Sequence, residues 1–333
     1  MNRHLTYLLV AVSTILLVIA GWLLCQDHAR AGQSNVTLAM PTQLSAGAVP
    51  VGLGQGAFER HGISLATQSF KIGKQALEAV LGGHADLAIV GDTPFVLATL
   101  RGEKLAVVAS VFSSRRAMGL VTRKGRGIRS GADLAGKTIG VVPGTNSQFF
   151  TDALLTAHRV DRAQVDILEF RPEALPDALR TGRVDAVTLW HPELARVQQE
   201  LGADAHTIYG DDIFVYRFLL VGTRAWIDAH PDTVRDVVAA LGESIDFIHD
   251  QPGPASAMIG RWLGLDASVL AGGFNAADYT LALDQSLLLT LSEQSRWARA
   301  KGLVRDAVAP DYLSMLVQQP LLATRPGAVR IIQ

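Results

Sequence analysis

Three short stretches place hydroxyls, amides and a carboxylate where a helix pattern begins: Gln43-Leu44-Ser45-Ala46, Gly91-Asp92-Thr93-Pro94 and Gly144-Thr145-Asn146-Ser147-Gln148. The first turn of a helix leaves backbone N–H groups without partners, and small or hydroxyl-bearing residues beside them make a natural cradle for an anion. The third stretch fits that description best, as a phosphate-type cradle. It lacks the Gly-Lys-Ser/Thr ending of a nucleotide-binding loop, so it gives no support to nucleotide hydrolysis. Ser45 and the amides after it are either donors to an anion or an ordinary helix cap. Thr93 fits a cap and Pro94 a first helical turn. The Asp92 carboxylate either caps that helix or faces an amine, which keeps a zwitterionic ligand open.

Further candidates surround these loops. Trp190, at the end of an apolar run and followed by His191-Pro192-Glu193, either covers the apolar part of a ligand or simply packs. In Ser113-Ser114-Arg115-Arg116, one of the two arginines pairs with an acid group or both form a solvated basic turn; Arg115 is the candidate carried forward. Tyr216 and Arg217 are second-rank candidates on the same logic.

No catalytic constellation emerges. The nine histidines form no His-Glu-x-x-His, and neither Gly-x-Ser-x-Gly nor a strand-to-helix Gly-x-Gly-x-x-Gly occurs. Gly52-Leu53-Gly54-Gln55-Gly56 lies inside a helical segment and is expected to pack closely on the sheet or to form a local loop. No metal site and no cofactor are expected. With 30 Lys+Arg against 31 Asp+Glu, a net charge of -1 offers no basic field for nucleic acid.

Apolar runs alternating with helical segments must position these loops. Strands are expected at 36–40, 63–70, 86–90, 105–112, 138–142, 165–170, 185–189 and 215–221, with helices between them. This pattern points to an α/β architecture with mostly parallel sheets. Gly83-His84-Ala85-Asp86-Leu87 and Gly182-Arg183-Val184-Asp185-Ala186 echo one another: glycine at a helix end, then Asp opening a strand. Two similar lobes would produce such an echo, and so would any two helix-to-strand junctions. After Val221 the pattern turns helical, at 232–249, 254–263 and 284–301 with a short helix from Pro310-Asp311-Tyr312, and the sheet is expected to have ended.

The N-terminus reads as an export element: Asn2-Arg3-His4, then the apolar run Leu5 to Leu24, then Ala29-Arg30-Ala31. Cleavage after Ala31 is expected, with an uncleaved membrane anchor as the alternative. Lipidation at Cys25 is disfavoured by the bulky Leu24 before it. Cys25 is the single cysteine, so the chain beyond it has no disulfide and no thiolate chemistry.

The loop Pro41 to Ala48, FERHGISL (58–65), GGHADLAIVGDTP (82–94), DLAGKTIGVVPGTNSQFF (133–150) and RTGRVDAVTLWHPE (180–193) together resemble the periplasmic substrate-binding proteins of the nitrate, sulfonate and taurine class of ABC importers. The resemblance implies a two-lobed periplasmic-binding-protein fold of type II with the ligand in the cleft. Lobe one would hold 32–112 and 218–333 and lobe two 113–217, with 1–31 as signal peptide or anchor. It also implies partnership with a membrane permease and its ATPase, a periplasmic location with a possible membrane tether, and no enzymatic activity. Candidate ligand-binding residues are Gln43, Ser45, Asp92, Thr93, Arg115, Gly144, Thr145, Asn146, Ser147 and Trp190. An alkyl or aryl sulfonate is favoured, because a helix start suits the acid group while Trp190, Phe95 and Phe149 offer apolar cover. The alternatives are a membrane-tethered sensory domain and an enzyme such as the pyrimidine-precursor synthase of this fold. That synthase uses a cysteine-rich motif absent here.

Overall fold

The computed structural model describes residues 33–305 and 308–332, and the alternating pattern becomes two separate sheets there. The first strands are β1 (Ser34–Pro41), β2 (Ile63–Phe70), β3 (Leu87–Gly91), β4 (Leu105–Ser114), β5 (Met118–Arg123) and β6 (Thr138–Val141). They are followed by β7 (Asp166–Glu169), β8 (Ala186–Trp190), β9 (Ala205–Tyr209), β10 (Tyr216–Thr223), β11 (Tyr279–Asp284) and β12 (Val329–Arg330). The larger sheet has the order β12-β11-β4-β10-β3-β1-β2 and the smaller β7-β6-β8-β5-β9. The chain passes between them twice, at 115–117 and 210–215. Ser113, Ser114, Tyr216 and Arg217, which the sequence reading places in lobe two, are strand residues of the larger sheet.

The α/β, two-lobed architecture is as the sequence implies, but the sheets are mixed rather than mostly parallel. Each crossover delivers a strand running against its neighbours: β10 is antiparallel to β3 and β4, and β5 to β8 and β9. The larger sheet also does not end after Val221. Tyr279–Asp284 pairs antiparallel with β4 and parallel with β12. The strand was hidden because it is short and runs directly into the helix Gln285–Ala300.

Strands β3 and β10 are buried on both faces nearly throughout, which is why they read as unbroken apolar runs. The echoed junctions do the same job in both sheets. Asp86 accepts from the Thr37 amide at 2.8 Å and Asp185 from the Thr138 amide at 2.9 Å. Each aspartate amide in turn donates to the carbonyl of that same threonine, and Gly83 and Gly182 supply the left-handed turns with φ of 72° and 76°. In the glycine-rich segment, Gly52 and Gly54 pack on helices rather than on the sheet. A Cβ on Gly52 would lie 2.2 Å from Ser244 Oγ, and one on Gly54 2.2 Å from Met258 Cε.

The charged start, the apolar run, Cys25 and the expected cleavage point lie outside the described residues. Among the described residues no helix is long and apolar enough to cross a membrane.

Candidate functional site

The carboxyl ends of β1, β3, β6 and β8 converge where the lobes meet, as open α/β sheets direct their loops to a common crevice. A chamber of about 20 Å³ lies there, lined by Gln43, Gly91 and Tyr216 from lobe one and by Thr145, Asn146 and Trp190 from lobe two. That is space for roughly one water molecule. Ile72, Gly73, Lys74 and Pro94 complete the wall. Past Lys74 the crevice widens into a mouth of about 590 Å³ between Lys71–Glu78 and the lobe-two segments 142–143 and 170–173.

The lobes meet at several points, among them two places with side-chain hydrogen bonds. Asn146 donates through Nδ2 to Asp92 Oδ1 at 2.5 Å, both residues being buried. Gly91 makes this approach possible, because a Cβ there would stand 2.3 Å from Asn146 Oδ1. Further along, Trp297 Nε1 donates to Asp152 Oδ2 at 2.9 Å, its indole meets Phe149 edge-on with ring centroids 5.1 Å apart, and Lys301 Nζ lies 3.3 Å from Asp152 Oδ1.

Of the expected ligand-binding residues, the chamber brings together Gln43, Thr145, Asn146 and Trp190, with Tyr216 from the second rank. Tyr216 donates to Gln43 Oε1 at 3.2 Å, and Gln43 Nε2 donates to the Lys71 carbonyl at 3.2 Å. Burial, with the Asp92 charge nearby, pushes the Tyr216 hydroxyl well above its ordinary pKa, so it remains a neutral phenol. Thr145 caps the helix Asn146–Ala157: its Oγ1 accepts from the Ser147 amide at 3.2 Å and donates to the Val142 carbonyl at 2.8 Å. Gly144 makes the preceding turn at φ 67°, its amide donating to Gln148 Oε1 at 2.8 Å.

The other expected residues stand elsewhere. Ser147 is fully buried and turned inward, its Oγ accepting from the Val142 amide at 3.1 Å and donating to the Thr188 carbonyl at 3.4 Å. Ser45 sits in the short helix Leu44–Ala46, buried, with no partner for its hydroxyl. Thr93 is not a cap. The helix begins one residue earlier, at Asp92, whose Oδ1 accepts from the Thr93 amide at 2.9 Å and leaves the Thr93 hydroxyl buried without a partner. Asp92 itself lies behind the chamber wall, fully buried, with Oδ2 unpartnered. Burial raises its pKa to about 6, against the lowering influences of Gln294, Arg217, Asn146 and the Thr93 amide. Arg115 is exposed, donates to the Asp211 carbonyl and stands 3.5 Å from Asp212. Phe95 is core and Phe149 packs on Phe214 and Trp297, so neither lines the chamber.

A much larger cavity, about 810 Å³, lies on the other side of the crossover strand. Strand alternation separates the two: Tyr216 faces the chamber while Val215 and Arg217 face the cavity, as Trp190 and His191 do in turn. Size alone does not make it the site. Arg115, Arg116 and Arg217 on its wall are already matched by Asp212, Asp211 and Asp284 at 3.5, 3.5 and 3.8 Å. His191 there is buried with Nδ1 unpartnered, and burial outweighs the Arg116 carbonyl to lower its pKa to about 4, so it is neutral.

Lys74 is the functional candidate that sequence reasoning missed. It opens the helix Gly73–Leu81 directly after β2, and the only available signal was a Gly-Lys pair at the end of a strand, without hydroxyls beside it.

Comparison with known proteins agrees with this fold. A candidate binding protein of Brucella abortus is 22% identical over 219 residues, covering 65% of this chain and 67% of its own. The crystal structure of the periplasmic aliphatic sulphonate binding protein SsuA from Escherichia coli superposes with a TM-score of 0.77 at 18% identity, over 86% of this chain and 98% of that one. The desulfurization enzyme DSZB shares the fold at a TM-score of 0.68 and 15% identity, over 89% and 99% of the two chains. The profile of one family matches residues 48–255, a span that runs from the helix after β1 through β10 and leaves out the Gln43 loop, and by that match the chain belongs to the NMT1/THI5-like family.

Proposed function

We propose that the protein is the solute-binding component of an ABC importer, located in the periplasm, and that it captures a small organic anion between its lobes. The observation that carries this reading is the convergence of strand-end loops from both sheets on one chamber between the lobes. Such a chamber exists only when the lobes are together, so a ligand contacting both walls stabilises the closed arrangement over the open one. The hinge lies in the crossovers at 115–117 and 210–215, and a permease with its ATPase would recognise the closed shape. An alkyl or aryl sulfonate suits the site, since Trp190, Ile72 and Pro94 offer apolar contact beside the helix starts at Gly73 and Asn146. The fold's likeness to a sulphonate binding protein supports that choice.

A binder is favoured over an enzyme because the chamber's hydroxyls are committed to structure. Thr145 holds its helix cap, and Tyr216 ionises only far above neutral pH. The test is a thermal-shift screen against sulfonates, nitrate, bicarbonate, small carboxylates, amino acids and pyrimidines. A ligand at a hundred times its Kd raises stability by about 2.7 kcal/mol. A shift confined to anions supports the proposal; no shift with any anion refutes it.

A further inference from the structure

Resting on the reading of the chamber as the ligand site, we infer that Lys74 reads the charge of the ligand and restricts it to small organic monoanions, excluding cations and zwitterions. Lys74 is the one charged side chain on the chamber wall; no Asp or Glu lines it. In the mouth, Glu78 and Glu173 line the wall beside Lys74 together with Lys71 and Arg171, but neither carboxylate pairs with it. Among the described residues Lys74 takes part in no hydrogen bond and no ion pair, although it is only partly exposed.

Its position is also unfavourable for the fold taken alone. A cation in the first turn of a helix opposes the helix macrodipole. The Gly73 and Lys74 amides belong to that same first turn and face an anion well, so the arrangement that is poor for an empty protein becomes favourable once a negative group lies between them. Across the crevice, the ammonium lies beside the turn at Gly144: a Cβ on Gly144 would sit 3.5 Å from Lys74 Nζ, an ordinary contact distance. Lys74 lines both the chamber and its mouth, so an anion meets it on the way in and keeps it as a neighbour once enclosed.

The size of the charge follows from the same wall. One cation neutralises one negative charge; a dianion would carry an unmatched charge into a space otherwise walled by neutral groups. An ammonium on the ligand would find no carboxylate, because Asp92 lies behind the wall with its free oxygen inaccessible.

The test compares ethanesulfonate with its uncharged analogue ethanesulfonamide on the wild-type protein, Lys74→Met and Lys74→Gln, by calorimetric titration. The wild type is expected to prefer ethanesulfonate by at least about tenfold. Both variants should lose about thirtyfold or more in affinity for it and bind the two ligands within about threefold of each other. Their thermal melts without ligand should be unchanged or raised, since a cation has left a helix start. Ethanesulfonate bound equally well by wild type and both variants would overturn the role of Lys74 while leaving the chamber as an anion site. Binding of the sulfonamide alone would overturn the anion reading itself and the inference with it. Variants that lose affinity for both ligands equally would show a packing role and also overturn it.

Discussion

Replacing Asp92 by Asn should make the protein more stable at neutral pH, although an amide oxygen then takes the place of the carboxylate acceptor in an interlobe hydrogen bond. A carboxyl whose pKa is about 6 in the fold and 3.8 when exposed binds its proton more tightly folded than unfolded. Ionising it at pH 7 therefore costs the native state about two pK units, or roughly 3 kcal/mol. The penalty is largest above pH 6, falls to about 1.6 kcal/mol at pH 5 and to about 0.5 kcal/mol at pH 4, as the folded protein takes up the proton first. Asparagine keeps an oxygen for the Asn146 and Thr93 donors and presents its NH2 toward Gln294, whose side-chain amide is itself buried without a partner. Setting about 1 kcal/mol against imperfect new geometry, the variant should gain about 2 kcal/mol at pH 7, a rise of roughly 4 °C in Tm. The difference between variant and wild type, followed by denaturant titration, should shrink by more than half between pH 7 and pH 4. His191 titrates with the opposite sign: its folded pKa of about 4 lies below the ordinary 6.5, so stability is lost as pH falls from about 6.5 toward 4. That contribution is common to both proteins and cancels in the difference. A variant less stable than wild type at pH 7, or a difference that does not change with pH, would refute the reasoning.

Other consequences are equally open to measurement. Trp297→Phe keeps the edge-on contact with Phe149 but removes the indole donor to Asp152, and should weaken the empty closed form by about 1.5 to 3 kcal/mol; solution scattering would show a larger radius of gyration that ligand restores. Gly144→Ala forces a side chain into the left-handed region at φ 67° and should lower stability by about 1 kcal/mol, or roughly 2 °C, by thermal melt. Asp185→Ala leaves the Thr138 amide without its carboxylate acceptor and Arg126 without its ion-pair partner, so a loss of about 1 to 3 kcal/mol in denaturant unfolding is expected, with ligand affinity unchanged.

How far the sequence reaches is clear from particular segments. Ile63–Phe70 was legible to the residue, because a β-rich run bounded by Gly62 and by the Lys71-Ile72-Gly73 turn has few other fates. Strands β5 and β9 were not, since Met118–Arg123 and Ala205–Tyr209 follow basic and acidic turns and carry no apolar run long enough to announce themselves. At the site, Thr145 and Asn146 were legible as a helix start, while the inward turn of Ser147 depends on Thr188 and Val142, residues distant in sequence or hidden in a loop's path. Arg115 was persuasive because arginine suits acid groups, but Asp211 and Asp212, nearly a hundred positions later, claim it. Lys74 escaped notice for the complementary reason: what distinguishes it is that, among the described residues, no acid pairs with it and none lines the chamber, which is visible only in three dimensions.

The order of strands in the larger sheet bears on how the chain must fold. All five strands of the smaller sheet come from one uninterrupted stretch, 118–209, so that sheet completes as soon as its own residues meet. The larger sheet receives a central strand, β10, only after that stretch has been passed, and its far edge, β11 and β12, only from the last fifth of the chain. Pairings separated by so much sequence close large loops and form late. Until then β3 and β4, apolar on both faces, have no strand between them. The inserted lobe is thus the natural early-folding unit, and the lobe that begins the chain is the one that waits for its end.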